Sequence, residues 1–229
     1  MALILHIETA TPVCSVALSE NGALLQLRET TEKNSHSAVV TIFIEEVIKA
    51  SGKTFNELDA VAVSMGPGSY TGLRIGVSTA KGICYAIDKP LIAISTLQAM
   101  AAGVRKGMES LLCPMIDARR MEVYNALYSS DLSVYREIRA DVITSESFRD
   151  ELEKFKVQFF GNGAEKCRPL LESHPNAVFP SDFSVSAAHM ISLAEEKYTR
   201  MEFEDVVYFE PYYLKDFIPG VARVKGLGL

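Results

Sequence analysis

Two parts of this sequence repeat the same order of secondary-structure patterns, and this repeat constrains the fold more than any other feature. The first hundred residues indicate three strands followed by alternating helices and strands, and the second half begins with three strands again. Asn21-Gly22 is a strong hairpin signal between predicted strands at 12–19 and 23–30. The halves share this pattern without sequence identity, so we predict two α/β lobes in tandem, each a mixed sheet with helices.

Hydrophobic periodicity and the positions of glycine and proline place the other elements. In the first half we predict strands at 2–8, 58–65 and 91–94, and helices at 36–51, 71–87 and 96–104. In the second half we predict strands at 111–117, 122–128, 133–139 and 157–160, and helices at 145–154, 164–172 and 186–201.

The predicted lobes divide the chain near residue 103. Residues 1–103 form the N-terminal lobe, which we expect to bind a partner, and residues 104–229 form a smaller, reduced C-terminal lobe. The last segment, 205–229, is aromatic and then glycine-rich, and we expect it to return to the first lobe.

Composition excludes several classes of protein. The net charge of -6 and the pI near 5.3 disfavour a chain that clamps nucleic acid by itself, because such surfaces are usually basic. The four cysteines are scattered and form no C-x-x-C pair, so we expect buried thiols in a reducing environment. The N-terminus has no basic leader and no apolar run reaches membrane-spanning length, so we expect a cytoplasmic protein.

The segment "MGPGSYTGLRIG" (65–76) has a glycine-rich turn between a strand and a helix. Such turns often bind phosphate, because backbone N–H groups and the helix dipole both favour an anion. A phosphate-binding P-loop, however, needs a lysine directly after its last glycine, and the first lysine here is Lys81. We therefore predict a structural turn in which Ser69 or Thr71 caps the helix.

The helix that follows contains too much glycine to be stable as a solvent-facing element. We predict that its apolar stripe and that of helix 36–51 stay exposed and meet a second chain, because exposed apolar patches usually mark interfaces. Close packing of the small residues on the protein's own sheet is the alternative, and both can hold on opposite faces. The predicted interface residues are His36, Val40, Ile44, Val47, Leu73, Val77 and Cys84.

Four segments carry a resemblance to a known family. They are "ILHIETATPVCSVAL" (4–18), "NSHSAVVTIFIEEVI" (34–48), "DAVAVSMGPGSYTGLRIGVSTAKGICYAIDKPLIAISTLQAMA" (59–101) and "PMIDARRMEVYNALY" (114–128). Through them the chain resembles the TsaB (YeaZ) family of the actin-like, Hsp70 and sugar-kinase ATPase superfamily, which implies two actin-like (ribonuclease H-like) lobes.

The resemblance also implies a function. Proteins of this family serve the bacterial synthesis of N6-threonylcarbamoyladenosine (t6A) at tRNA position 37. They act as non-catalytic scaffolds that pair with the catalytic subunit TsaD, joined by the ATPase TsaE, and contact tRNA only through the complex. In isolation we expect a monomer or a homodimer, without a role at a membrane.

The resemblance further implies where a cofactor would bind. Catalytic relatives carry a metal-binding H-x-x-x-H on the first helix, but here Val40 follows His36 at the second position, so we expect no metal. A candidate degenerate nucleotide site remains, although Pro12 removes a backbone donor there. We expect ATP to bind weakly or not at all, and no cofactor to be required. The candidate residues are Glu8, Thr9, Thr11, Asp117 and Arg119.

Two other functions remain open at this point. One is an ATP-dependent transferase of the actin-like superfamily, which the missing histidine and lysine disfavour. The other is a glycoprotease-type metallopeptidase, a label once given to relatives. The sequence contains no H-E-x-x-H motif and no evident Ser/His/Asp set.

Overall fold

The computed structural model describes residues 2–32, 36–104, 110–181 and 183–215, and it places two five-stranded mixed sheets in them. The first sheet has the order β3-β2-β1-β4-β5, in which β1 pairs antiparallel with β2 and parallel with β4. Its strands are β1 (Leu3–Glu8), β2 (Cys14–Glu20), β3 (Ala23–Thr30), β4 (Ala60–Gly66) and β5 (Leu91–Ser95).

The second sheet repeats this plan with the order β10-β9-β6-β7-β8. Its central strand β6 pairs antiparallel with β7 and parallel with β9, as β1 does with β2 and β4. The strands are β6 (Ser110–Asp117), β7 (Glu122–Tyr128), β8 (Val134–Val142), β9 (Lys156–Phe160) and β10 (Ala177–Val178). The tandem repeat predicted from the order of patterns is therefore present in the topology.

Helices cover both faces of the first sheet because its central strands are buried on both sides. Odd-numbered residues of β1 face α1 and α2, and even-numbered ones face α3 and α6. Helix α3 also packs against the second sheet, so it lies between the two lobes. The helices are α1 (His36–Ser51), α2 (Tyr70–Ile87), α3 (Thr96–Ala102), α4 (Arg149–Leu152), α5 (Ala164–Leu171) and α6 (Ile191–Thr199).

Local sequence signals predicted the elements of the first lobe accurately. Helix α1 has the predicted bounds, and Asn21 and Gly22 have φ values of 54° and 74°, which a tight hairpin turn requires. In the second half the predictions were less accurate. The helix expected at 145–154 is only four residues long, and the one expected at 186–201 begins as a 3-10 turn, Ala187–Met190, before α6.

The chain after α6 returns along the first lobe, and we call residues 204–215 the C-terminal strap. Glu204 forms an isolated antiparallel bridge with Leu91 of β5. The ammonium of Lys81 donates to the carbonyl oxygens of Val207 and Phe209 at 3.1 and 2.9 Å. Residues 216–229, the rest of the predicted returning segment, lie outside the described residues. The lobe boundary at residue 103 stays a prediction.

Two negative expectations concern the described residues only. Within them no helix is long and apolar enough to cross a membrane. The four cysteines are buried free thiols, as their scattered spacing predicted.

Candidate functional site

The turn after β1 and the start of α2 form one close-packed junction, which we call the β1–α2 junction. The hydroxyl of Thr9 donates to the carbonyl oxygen of Gly72 at 2.8 Å, and the N–H of Ser69 donates to the carbonyl of Ala10 at 2.7 Å. Glu8, Thr9 and Thr11 are at most 2% exposed. The side chains expected to cradle a phosphate therefore pack inside the protein.

Three glycines at the junction allow this close approach. A Cβ atom at Gly68 would lie 2.4 Å from the carbonyl oxygen of Ala10. A Cβ at Gly72 would lie 2.1 Å from that of Thr9, and one at Gly76 would lie 2.2 Å from the Thr9 hydroxyl. Real Cβ atoms do not approach other heavy atoms this closely, so the glycines serve packing within the chain.

The glycine-rich turn caps α2, as predicted. The hydroxyl of Ser69, the residue before the helix, accepts a hydrogen bond from the N–H of Gly72 at 3.3 Å. Lys81, the first lysine after the turn, donates to the strap. The structural interpretation of this motif therefore holds.

Glu8 is a buried carboxyl group at the end of β1. Its Oε1 accepts from the N–H of Ala10 at 2.6 Å, and its Oε2 has no hydrogen-bond partner among the described residues. Burial raises the pKa of Glu8 to about 7, and the Ala10 hydrogen bond only partly opposes this. Burial thus disfavours the ionised carboxylate that would accept a hydrogen bond from a magnesium-bound water.

Asp117 and Arg119 lie at the turn between β6 and β7, in the second lobe. The Asp117 Oδ1 atom accepts from the N–H of Arg119 at 2.8 Å and pairs with Lys166. Burial acts to raise the pKa of Asp117, but these hydrogen bonds outweigh it and lower the pKa. Within the described residues no hydrogen bond or ion pair joins this group to Glu8, and a shared nucleotide site stays a prediction.

His36 begins α1 and is held by the chain itself. Its Nε2 donates to the carbonyl oxygen of Thr11 at 2.9 Å, and Val40, one turn later, is buried. Across the described ranges no three His, Cys, Asp or Glu side chains are grouped as a metal would require. The absence of a bound metal stays a prediction.

The prediction that the apolar stripes of α1 and α2 are exposed is wrong. All six of their apolar residues are at most 4% exposed. All of them except Leu73 belong to the core cluster that α1 and α2 form with β1, β2 and β4. Helical periodicity identified an apolar face correctly, but that face is covered by the protein's own sheet. The residues are Val40, Ile44, Val47, Leu73, Val77 and Cys84.

The opposite sides of α1 and α2 are solvent-exposed, and we call them the outer helix face. The two helices contact each other, and their exposed residues include small ones and the charged residues Glu45, Glu46, Lys49 and Arg74. Ile42 and Tyr85 are the large exposed hydrophobic residues on these helices, at 50% and 82% exposed. The outer helix face comprises Ala38, Thr41, Ile42, Ser78, Gly82 and Tyr85.

Gly82 differs from the glycines at the junction. A Cβ atom at Gly82 would have no heavy atom within 4 Å. Gly72 and Gly76 lie four residues apart on one side of α2, whereas Gly82 comes six residues after Gly76, roughly 240° around the helix. The spacing in the sequence therefore places Gly82 on another side of α2.

The comparisons with known proteins agree with this fold. A family model described as tRNA N6-adenosine threonylcarbamoyltransferase, TsaD, matches residues 29–206. The tRNA threonylcarbamoyladenosine biosynthesis protein TsaB of Haemophilus influenzae is 30% identical over 224 residues, which cover 93% of each chain.

Solved structures add evidence on the fold alone. The structure of YeaZ from Pseudomonas aeruginosa superposes with a TM-score of 0.79 at 24% identity, covering 93% of this chain and all of that one. The activator of 2-hydroxyisocaproyl-CoA dehydratase from Clostridium difficile, solved with bound ADPNP, gives a TM-score of 0.52 at 8% identity and covers 89% of this chain and 98% of that one. The predicted actin-like fold is confirmed, and this chain belongs to the TsaB (YeaZ) family, whose members share a domain type with TsaD.

Proposed function

We propose that this chain is a non-catalytic subunit required for t6A synthesis on tRNA. It pairs through its outer helix face with a TsaD-type catalytic subunit, and a TsaE-type ATPase joins the pair. The observation that carries this proposal is the composition of the outer helix face, in a chain whose relatives are named tRNA threonylcarbamoyladenosine biosynthesis protein TsaB.

The β1–α2 junction supports a subunit without its own catalysis. Glu8 and Thr9 are buried and bonded within the chain, and Lys81 is held by strap carbonyls. Val40 occupies the position of a second metal-binding histidine and lies in the core. These placements favour a protein that contributes a surface rather than a phosphate or metal site.

The outer helix face suits a partner built from helices. The small residues Ala38, Ser78 and Gly82 permit close approach of a second helix pair, while Ile42 and Tyr85 offer apolar contact area. A partner would also compensate for the cost of an exposed glycine inside α2. In the absence of the catalytic subunit, the same face fits a second copy of this chain.

The test is a variant with Ile42→Glu and Gly82→Arg, because Ile42 is half-exposed and a side chain added at Gly82 would enter open space. The matched control is Ser192→Arg, an exposed position on α6 at the opposite face of the first sheet. We expect the double variant to stay folded but to lose co-purification with a TsaD-type subunit and t6A formation in a reconstituted reaction. Normal pairing of the folded double variant would refute the proposed surface.

A further inference from the structure

The turn between β6 and β7 presents two adjacent arginines in an unusual backbone conformation. Arg119 and Arg120 have φ values of 73° and 49°, in the left-handed region where glycine and asparagine are usual. The turn is closed by hydrogen bonds of 3.0 Å from Ala118 N–H to Glu122 O and of 3.1 Å from Glu122 N–H to Arg119 O. This conformation holds the two arginines next to each other at the exposed tip of the turn.

Neither arginine side chain forms a hydrogen bond or ion pair within the described part of the chain, although the charge of Arg119 interacts with the Asp117 carboxylate. The neighbouring acids are already paired, Asp117 with Lys166 and Glu122 with Lys215. The turn therefore carries an excess of about two positive charges. Six other arginines have partners in the same ranges: Arg28, Arg74, Arg136, Arg149, Arg168 and Arg200.

The strap contacts both this turn and the start of α2. Lys215 of the strap pairs with Glu122. Two residues earlier, the Tyr213 ring lies 4.9 Å from the Tyr70 ring, and its hydroxyl accepts from Arg74 Nε at 3.3 Å. The strap therefore links the basic turn to the first residues of α2.

We propose that Arg119 and Arg120 bind backbone phosphates of the tRNA while it is held by the catalytic subunit. This inference rests on the proposed function, which brings tRNA to that subunit. Guanidinium groups match phosphate oxygens in geometry and charge, and they need no particular base. The net charge of -6 opposes RNA binding elsewhere on this chain, so the contact is local and supplements the partner's own binding.

The test uses the complex of this chain with its catalytic subunit and a tRNA that has adenosine at position 37. Arg119→Asn with Arg120→Asn removes the charges while asparagine keeps the left-handed turn. Arg139→Asn is the matched control, since Arg139 is exposed on β8 and has no ion pair within the described ranges. A second variant, Arg119→Lys with Arg120→Lys, keeps the charges.

We expect the asparagine variant to bind tRNA more weakly and to reduce the slope of log affinity against log salt by about 1.4 to 1.8, which corresponds to two lost phosphate contacts. The lysine variant and the Arg139 control should keep the wild-type slope. An unchanged slope in the asparagine variant refutes the proposal. Loss of subunit pairing in the asparagine variant also refutes the proposal. That result would indicate that Arg119 and Arg120 bind carboxylates of the partner subunit instead. If the wild-type subunits themselves fail to pair, the proposed function fails instead.

Discussion

The hydroxyl of Thr9 donates a hydrogen bond of 2.8 Å to the carbonyl oxygen of Gly72, and this contact joins the turn after β1 to the first turn of α2. The corresponding space would have to open if a phosphate group were to enter between strand and helix. The glycine-rich motif thus allows α2 to pack closely against the turn after β1. Substitution of its glycines one at a time tests this packing.

The glycines of α2 should respond in opposite directions to alanine. Gly72→Ala places a methyl group against the backbone of Thr9, so we expect it to lower the free energy of unfolding by about 1–3 kcal/mol. Gly82→Ala has open space and better helix propensity, so we expect a gain of up to about 1 kcal/mol. Urea denaturation of both variants measures the difference, and equal effects would contradict the assigned faces.

Val77 and Ile42 should distinguish the buried and exposed sides of the helix pair. Val77→Glu puts a carboxyl group into the core of the first lobe, where Val77 is 4% exposed, and should destabilise the fold by about 3 kcal/mol or more. Ile42→Glu, at a half-exposed site, should cost less than about 1 kcal/mol. Thermal unfolding followed by circular dichroism compares them. A stable, folded Val77→Glu variant would contradict the buried position of Val77 and support the earlier hypothesis of an exposed apolar stripe.

Glu8 should make stability depend on pH. Its folded-state pKa is raised from 4.5 to about 7, so its stabilising contribution is complete below pH 4.5 and is lost as the pH rises to 7. The shift corresponds to about 3 kcal/mol. Glu8→Gln keeps an acceptor for Ala10 N–H and removes the titration. The stability of the variant relative to wild type should therefore rise across this range, and a constant difference would contradict the raised pKa.

His6 changes stability in the opposite direction and must be measured with Glu8. Burial lowers its pKa from 6.5 to about 3, so its contribution is complete above pH 6.5 and is lost as the pH falls towards 3. Between pH 4.5 and 6.5 these two effects oppose each other, so the stability profile of wild type alone does not reveal either of them. The comparison with Glu8→Gln at each pH separates them, because His6 is the same in both proteins.

The isolated chain should contain no stoichiometric metal and should bind ATP weakly, without hydrolysis. His36 already donates to Thr11, and Glu8 is buried with its proton held near neutral pH. Elemental analysis of purified protein and calorimetry with ATP and magnesium measure both expectations. One tightly bound metal that is lost in His36→Ala would contradict the predicted absence of a metal site. Micromolar ATP binding that is lost in Glu8→Ala would contradict the predicted weak binding of nucleotide.

The sequence predicted local structure better than it predicted which surfaces are covered. The hydrophobic periodicity predicted the bounds of α1 correctly, and Asn21-Gly22 predicted the first hairpin turn correctly. Both signals depend only on neighbouring residues. Periodicity also found the apolar side of α2, but what covers a helix depends on strands far away in the chain. Sequence spacing places Gly72 and Gly82 on different sides of α2, but only the approach of Thr9 in the structure shows that Gly72 is the packed one.

The second lobe was harder to predict for a related reason. Helix α6 belongs to the second half by sequence, yet it packs on the first sheet, which no local pattern could indicate. The sequence led us to expect that the last segment returns to the first lobe, but it did not indicate the bridge between Glu204 and β5. The candidate nucleotide residues were grouped through the resemblance alone. The structure places Glu8 in the core and Asp117 at an exposed turn.

The packing of α6 on the first sheet has a consequence for how the protein is made. One face of β1, β4 and β5, including Ile4, Ala62 and Ile94, is covered in part by Met190, Leu193 and Ala194. Ribosomes synthesise chains from the N-terminus at about 5–20 residues per second, so these strands emerge several seconds or more before the helix that completes their covering. During that interval the nascent first lobe exposes an apolar surface that chaperones recognise. The first lobe is thus synthesised first, but its packing is completed only after α6 has been synthesised.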